Sequence, residues 1–299
     1  MIAFDANEGL NVATVLDEDG LVAQSYAGFE ARPEQIEMAV AAQKALGSDR
    51  HLTVEAGTGV GKSFAYLAAA IDQVLQKKGK VLVSTYTITL QQQLINKDVP
   101  FLSDIIPGNF TACLAKGRGN YVCLRRLKYA LRKGKMLFDD TGDALMRINA
   151  WASVTKDGSL SDLEPAPSPA AWDAARSEHG NCRGRRCAHF KECFYWKARR
   201  QLDTADIIVA NHAMLFSDLV LKSKGKGVLP DYRYVILDEA HNTEHVAEDH
   251  FGINITNYTF TYLLNGLYNT RTRKGLLAFK DNGNAIPLVK ECNKASKVF

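Results

Sequence analysis

The chain has 299 residues, 46% hydrophobic and 23% charged, with 37 Lys and Arg against 33 Asp and Glu for a net charge of +4. This is the composition of a soluble globular protein with room for one large domain or two smaller ones. No apolar run approaches bilayer-spanning length, and the first residues lack a basic stretch followed by an apolar one. Neither export nor membrane insertion is signalled, and a cytoplasmic location is expected. Disulfides do not persist there, so the six cysteines read as buried thiols, catalytic groups or metal ligands.

Residues 1–25 contain NVATVLDEDGLVAQS, two apolar-rich segments around a DEDG turn signal, and read as a small hairpin with no function attached. From RPEQIEMAVAAQKAL onward the apolar spacing is helical. Short apolar runs then alternate with helices: the strand HLTVEA, the helix SFAYLAAAIDQVLQKK and the strand VLVST, later the strands DIIVANH and YVILDEA. That alternation predicts a parallel sheet covered by helices on both faces. A long interruption over about 113–200 separates VLVST from DIIVANH. It holds an acidic linker, EPAPSPAAW, whose prolines at 165, 167 and 169 resist helix and sheet alike. It also holds two basic stretches, 116–135 and 182–200, which together carry fifteen of the 37 basic residues and only one of the 33 acidic ones.

EAGTGVGKS, residues 55–63, lies between an expected strand and a helix, the context of a phosphate-binding loop. Gly57, Gly59 and Gly61 let backbone N–H groups curl around phosphate oxygens, and the helix N-terminus adds partial positive charge. Ala56 takes the first position of the pattern in place of glycine, and Thr58 and Val60 complete the loop. Lys62 is expected to reach the β- and γ-phosphates and Ser63 to bind Mg²⁺. YVILDEAHN supplies the other half, with Asp238 suited to the Mg²⁺ shell and Glu239 to orienting an attacking water. Hydrolysis is the implied reaction, and a small-molecule kinase is the first competitor. DEAH resembles motif II of superfamily 2 helicases, where His241 would couple hydrolysis to nucleic-acid contact. RPEQ, just upstream, would place Arg32 and Gln35 near the adenine.

Three cysteines fall in CRGRRCAHFKEC. Cys123 is followed by 58 residues before Cys182, then four before Cys187 and five before Cys193. No close C-x-x-C pair of the zinc-ribbon kind is present, and thiolates dispersed in this way suit a 4Fe-4S cluster. The alternative is a zinc-stabilised module with His189 among the ligands. Cys113 and Cys292 have no place in the pattern and are expected to be buried thiols.

RPEQ, EAGTGVGKS, VSTYTITLQQQL, GRGNYVC, the three-cysteine segment, ADIIVANHAML and LDEAHN occur in one order from about Phe29 to Asn242. Together they resemble the XPD/DinG family of iron-sulfur helicases, in its bacterial DinG-like branch. The resemblance implies an α/β fold: a RecA-like P-loop domain with a parallel sheet, interrupted by an iron-sulfur domain and followed by the start of a helical arch domain. The expected divisions are 26–112 and 201–245 for the two parts of the first motor domain, 113–200 for the cluster domain and 246–299 for the beginning of the arch.

The resemblance further implies that Cys123, Cys182, Cys187 and Cys193 bind the cluster, which ties distant segments of a basic module with little apolar core of its own. TYTITLQQQ would lie near the DNA backbone. ATP-driven 5'-3' movement on single-stranded DNA and unwinding of branched DNA are the implied activity. Residues after Asn242 show no second strand-helix alternation, so a second RecA-like domain is expected in cis in the full-length protein, and this chain alone is expected to hydrolyse slowly. The rival from another class is a nucleic-acid-binding module with a zinc site and a regulatory nucleotide site. A nuclease is a second rival, for which residues 1–25 are too few.

Overall fold

The structure, a computed structural model, describes residues 4–5, 9–48, 50–134, 140–252, 257–271, 275–279 and 284–296. It forms two compact units, Met1–His250 and Phe251–Phe299.

The first unit starts with a two-residue antiparallel ladder between β1 (Phe4–Asp5) and β2 (Gly9–Leu10). The segment expected as a hairpin around DEDG is instead two short helices, α1 (Val12–Leu16) and α2 (Leu21–Ser25). Val12, Val15 and Leu16 are fully buried at helical spacing, and the Asn11 side chain caps the first turn by accepting from Thr14 N at 3.4 Å. The turn signal was legible, but the period on either side is that of a helix.

Next come α3 (Pro33–Gly47), begun by proline at its first turn, and α4 (Lys62–Leu75). Ten consecutive residues of α4, Ala65 to Val74, are buried, the mark of a helix enclosed on all sides. HLTVEA joins no ladder: residues 50–57 belong to no strand, and Leu52 and Val54 are exposed. Their β-branched pattern supplies a strand's propensity without a paired neighbour, and pairing is what makes a strand.

Beyond α4 the chain forms β3 (Val81–Thr85), then one continuous helical stretch of α5 (Ile88–Gln93), a π-turn (Leu94–Asp98) and α6 (Val99–Ile105), and then β4 (Ala112–Leu114). The interruption follows with α7 (Leu124–Gly134), α8 (Asp140–Ala152), α9 (Pro169–Ala175) and α10 (Phe194–Thr204). The chain then returns as β5 (Ile207–Asn211), α11 (His212–Lys222) and β6 (Tyr234–Leu237), and α12 (Thr243–Phe251) comes after.

The main sheet has the order β4-β5-β3-β6 with every pair parallel. Its faces separate by residue parity, as a pleated strand requires. Val81, Val83, Ile207 and Val209 join the core shared with α1, α3, α4 and α6, whereas Leu82, Ile208 and Ala210 pack with Leu202 and Leu215 from α10 and α11. Helices therefore cover both faces, as the alternation predicted. Cys113 sits within β4, paired in register with Ile208, so the interruption begins after the strand.

The interruption has an apolar core of its own, contrary to expectation. Val122, Leu127, Leu145, Ile148, Leu163, Ala171, Trp172 and Ala175 are buried together. Pro169 does not resist helix; it opens α9 behind the capping Ser168, where a missing N–H costs nothing. What lacks a core is the cysteine loop, since no residue between Ser177 and Tyr195 is buried.

In the second unit, α13 (Asn257–Leu267) and α14 (Ala285–Ala295) pack together, burying Leu264 and Val289. Cys292, expected to be buried, is exposed. Among the described residues no helix is long and apolar enough to cross a membrane.

Candidate nucleotide site and cysteine module

The loop at 56–61 turns on two left-handed glycines, Gly59 with φ 86° and Gly61 with φ 81°, a conformation that costs other residues. Gln35, itself buried, donates from Nε2 to the Gly61 carbonyl at 2.8 Å. A Cβ on Gly61 would fall 2.2 Å from that same nitrogen, so the loop is braced as well as bent. Arg32 lies over Gly59 and pairs loosely with Glu30 at 3.8 Å. Both residues of RPEQ thus converge on the loop.

Lys62 and Ser63 begin α4. The ammonium of Lys62 donates to the Ala56 carbonyl at 3.4 Å and stands 3.5 Å from Glu239 Oε1, so the two halves predicted from separate motifs meet. Asp238 follows directly on β6. Thr85 Oγ1 donates to its Oδ2 at 3.0 Å, and its own N–H donates to the Ser84 carbonyl at 2.8 Å. Burial, helped by the neighbouring Glu239 charge, lifts the Asp238 carboxyl above the usual range, against the Thr85 hydrogen bond and Lys62. A nearby cation would return it to full ionisation. Glu239 itself is left-handed, φ 53° and ψ 45°, a strain of about 1–3 kcal/mol that surrounding contacts must hold. His241 is exposed, with Nδ1 3.6 Å from Glu239 Oε2 and Nε2 2.9 Å from Asn242 Nδ2.

Three groups missed by sequence reading complete the site. Thr85 is one. Asp98, from the π-turn, has its carboxyl raised by burial; Gln93 and Ser63 oppose that shift by hydrogen bonding. Tyr66, one turn after Lys62, is buried with its hydroxyl beside Ser63 and Asp238, yet the hydroxyl makes no hydrogen bond of good geometry. Burial pushes that phenol far up, so it remains a neutral donor. Hydroxyl and carboxylate oxygens with an orphaned donor facing inward fit a hydrated Mg²⁺, which keeps several of its waters. Ser63 and Asp238 would hold the ion, and Tyr66 could donate to the ligand oxygens around it. Tyr66→Phe is therefore expected to leave the unliganded chain as stable or about 1 kcal/mol more so. It should also shrink the thermal stabilisation given by Mg²⁺ and nucleotide; a melting series with and without both ligands checks this.

The cysteine module is built from backbone bridges. Tyr121 pairs with Ser159 and Val122 with Arg176, and Cys123 N donates to the Ala175 carbonyl at 2.8 Å. Cys193 caps α10. Burial raises its thiol, and the charges of Cys123 and Cys182 add to that rise, so these three sulfurs lie within electrostatic reach of one another. For Cys182 burial works upward but is outweighed by the Gly184 N–H, Arg118 and Trp196, and the thiol is lowered. Arg118 Nη1 and Trp196 Nε1 are buried donors beside Cys182 that make no hydrogen bond of good geometry, a surrounding that suits negatively charged sulfur. His189 faces Glu192, with Nδ1 3.7 Å from Oε2. Among the described residues, no group of three or more His, Cys, Asp or Glu side chains stands ready to hold a metal ion.

A parallel sheet whose C-terminal edge presents a lysine-bearing glycine loop and a strand-end Asp-Glu pair defines a P-loop nucleotide-binding protein. The DEAD/DEAH box helicase family model matches residues 33–117, and the DEAD_2 model matches 184–260. The ATP-dependent DNA helicase YoaA of Escherichia coli is 38% identical over 237 residues, covering 78% of this chain and 36% of YoaA. The ATP-dependent helicase DinG of Mycobacterium tuberculosis is 38% identical over 238 residues, covering 74% of this chain and 35% of its own length. A solved XPD helicase aligns with a TM-score of 0.48 at 14% identity, over 89% of this chain and 40% of that one. Over these stretches the chain is similar to DinG-like helicases, and it spans about a third of the length of these curated relatives.

Proposed function

We propose that this chain is the ATP-binding portion of a DNA helicase that couples ATP hydrolysis to movement along single-stranded DNA. The observation that carries the reading is the meeting of Lys62 with Glu239 at 3.5 Å beside the hydrogen-bonded Asp238. Lys62 would neutralise the β- and γ-phosphates, Glu239 would orient the water, and Mg²⁺ bound by Ser63 and Asp238 would screen developing charge. Arg32 and Gln35 would hold the base side of the loop. A kinase would share the loop, but His241 beside Glu239 and a basic module inserted into the sheet favour a nucleic-acid partner.

In this reading Cys123, Cys182, Cys187 and Cys193 hold a 4Fe-4S cluster that clamps the exposed cysteine loop onto the module's helices, a structural role requiring no electron transfer. The buried donors of Arg118 and Trp196 beside Cys182 support an anionic group there. Residues 246–299 are read as the start of an arch domain and 113–200 as the cluster domain. Single-stranded and branched DNA are the substrates, the cytoplasm is the site of action, and a second RecA-like domain in cis completes the motor of the full-length protein.

Titration of the chain with a fluorescent ATP analogue in Mg²⁺, and separately with a labelled single strand at rising salt, tests the proposal. Saturable binding of both is expected, with log affinity for DNA falling by about 0.7 per neutralised phosphate for each tenfold rise in salt. Failure to bind nucleotide would overturn the reading, and so would salt-independent DNA binding.

A further inference from the structure

Helices α3 and α4 meet the nucleotide loop at their first turns and the N-terminal segment further along. On α3, Gln35, Ala39 and Gln43 recur every fourth residue and share one face; Gly61, Ala65, Ala68 and Asp72 do the same at the start and along α4. At the near end Gln35 Nε2 donates to the Gly61 carbonyl at 2.8 Å. At the far end Gln43 Nε2 donates to Asp72 Oδ2 at 2.9 Å. Between those two bonds the faces carry Ala39, Ala65 and Ala68, all fully buried.

A third partner closes the far end. Leu10, the last residue of β2, donates its N–H to Asp72 Oδ1 at 2.8 Å, and its carbonyl accepts from Gln43 Nε2 at 2.6 Å. Gln76 Nε2 donates to Asp72 Oδ1 at 2.6 Å and Gln73 Nε2 to Oδ2 at 3.2 Å, so both oxygens of this carboxyl, 1% exposed, are satisfied. Gly9 is left-handed, with φ 88°, and a Cβ there would fall 2.1 Å from Gln76 Nε2 and 2.6 Å from Asp72 Oδ1; the chain is fitted closely to the network. Val12, Val15 and Leu16 of α1 are buried in the same core as Leu10 and anchor it. The segment 9–16, to which the sequence attaches no function, is a clip across two helices that both open on the nucleotide loop.

Interlocking of large side chains is what fixes how far one helix lies along another, and alanine faces offer little of it. The polar bonds at the two ends set that register instead. We infer that Asp72 is a positioning residue: with Gln43 and Leu10 it fixes the axial position of α3 against α4, and so the reach of Arg32 and Gln35 over the phosphate-binding loop. The inference rests on the proposed nucleotide site, where those two residues serve the base side. A helix is stiff along its axis, and Gln43 stands only about 12 Å from Gln35 by helical rise, so a slip at the clip is carried to the loop.

The test uses the whole chain and two probes: a non-hydrolysable ATP analogue with Mg²⁺, and inorganic tripolyphosphate with Mg²⁺, which has the phosphates without the base. Gln43→Met keeps length and burial but removes both N–H donors; Asp72→Asn keeps the shape and turns one acceptor into a donor. Each should weaken the ATP analogue by about fivefold or more and tripolyphosphate by less than about twofold. Gln43→Lys returns N–H donors to the Leu10 carbonyl and Asp72, and should bring the analogue back to within about twofold of the unaltered chain. A merely destabilising change cannot imitate this split, because a smaller folded fraction lowers both apparent affinities by one factor. Should Asp72→Asn fail to fold, Gln43→Met carries the test. Unchanged binding of the analogue in Gln43→Met, or equal loss for the two probes, overturns the inference. An unaltered chain that binds neither probe sinks the proposed nucleotide site beneath it instead.

Discussion

Lys62→Ala is expected to weaken binding of Mg²⁺ and ATP by about a hundredfold, read by calorimetric titration of the chain. The reason is local charge. In the unliganded protein Lys62 offsets Glu239 at 3.5 Å and is tethered to the Ala56 carbonyl. When phosphates arrive, the ammonium must serve them. Truncating it leaves the Glu239 carboxylate facing the polyphosphate without an intervening cation, a loss of about 2–5 kcal/mol for a hydrogen-bonded charge partner. That range spans the hundredfold figure at about 1.4 kcal/mol per decade. Glu239→Gln provides the contrast. It removes the competing negative charge and keeps the shape, so affinity should stay within about threefold, whereas DNA-stimulated turnover in the full-length protein should fall by about 10²–10⁴. Equal nucleotide affinity in Lys62→Ala and the unaltered chain would place the phosphates away from this loop.

The site was legible to different degrees for identifiable physical reasons. The runs at 81–85 and 207–211 announce strands because both faces of a central parallel strand are covered, which demands unbroken apolar, β-branched sequence; the run at 234–237 has the same character but forms the sheet's edge, where Val235 and Leu237 are exposed. The glycine loop and the Asp-Glu pair are chemistry written in consecutive residues. The groups that finish the site are not consecutive. Tyr66 was within reach, since it stands four residues after Lys62 on the same helix face, but its aromatic ring in an apolar run reads as core. Asp98 enters the site from a π-turn, and the one-residue slip of a π-turn leaves no trace in a 3.6-residue pattern. The misread N-terminal hairpin has the opposite cause: a real turn signal outweighed the three- and four-residue spacing of Val12, Val15 and Leu16.

Cys123→Ser is expected to abolish iron binding and the brown absorbance of anaerobically purified protein, whereas Cys113→Ser should keep both. Cys113 is committed to β4, where its neighbours are Leu114 and the paired Ile208. Cys123 is held by the Ala175 carbonyl at the start of α7 and is felt by Cys193. The module's own apolar core predicts how the damage spreads. Val122, Leu127, Ile148 and Trp172 belong to a buried cluster that includes no cysteine, so helical circular dichroism should change little. The loop from Glu178 to Glu192 has no buried residue, and with the clamp gone nothing of comparable strength orders it. Trypsin should then cut at Arg183, Arg185 or Arg186 in Cys123→Ser and spare them in the iron-loaded protein. Iron retained in Cys123→Ser and lost in Cys113→Ser would move the fourth ligand into the sheet. Colourless protein with stoichiometric zinc would replace the cluster by a zinc clamp, leaving the same loop to be ordered by a different ion.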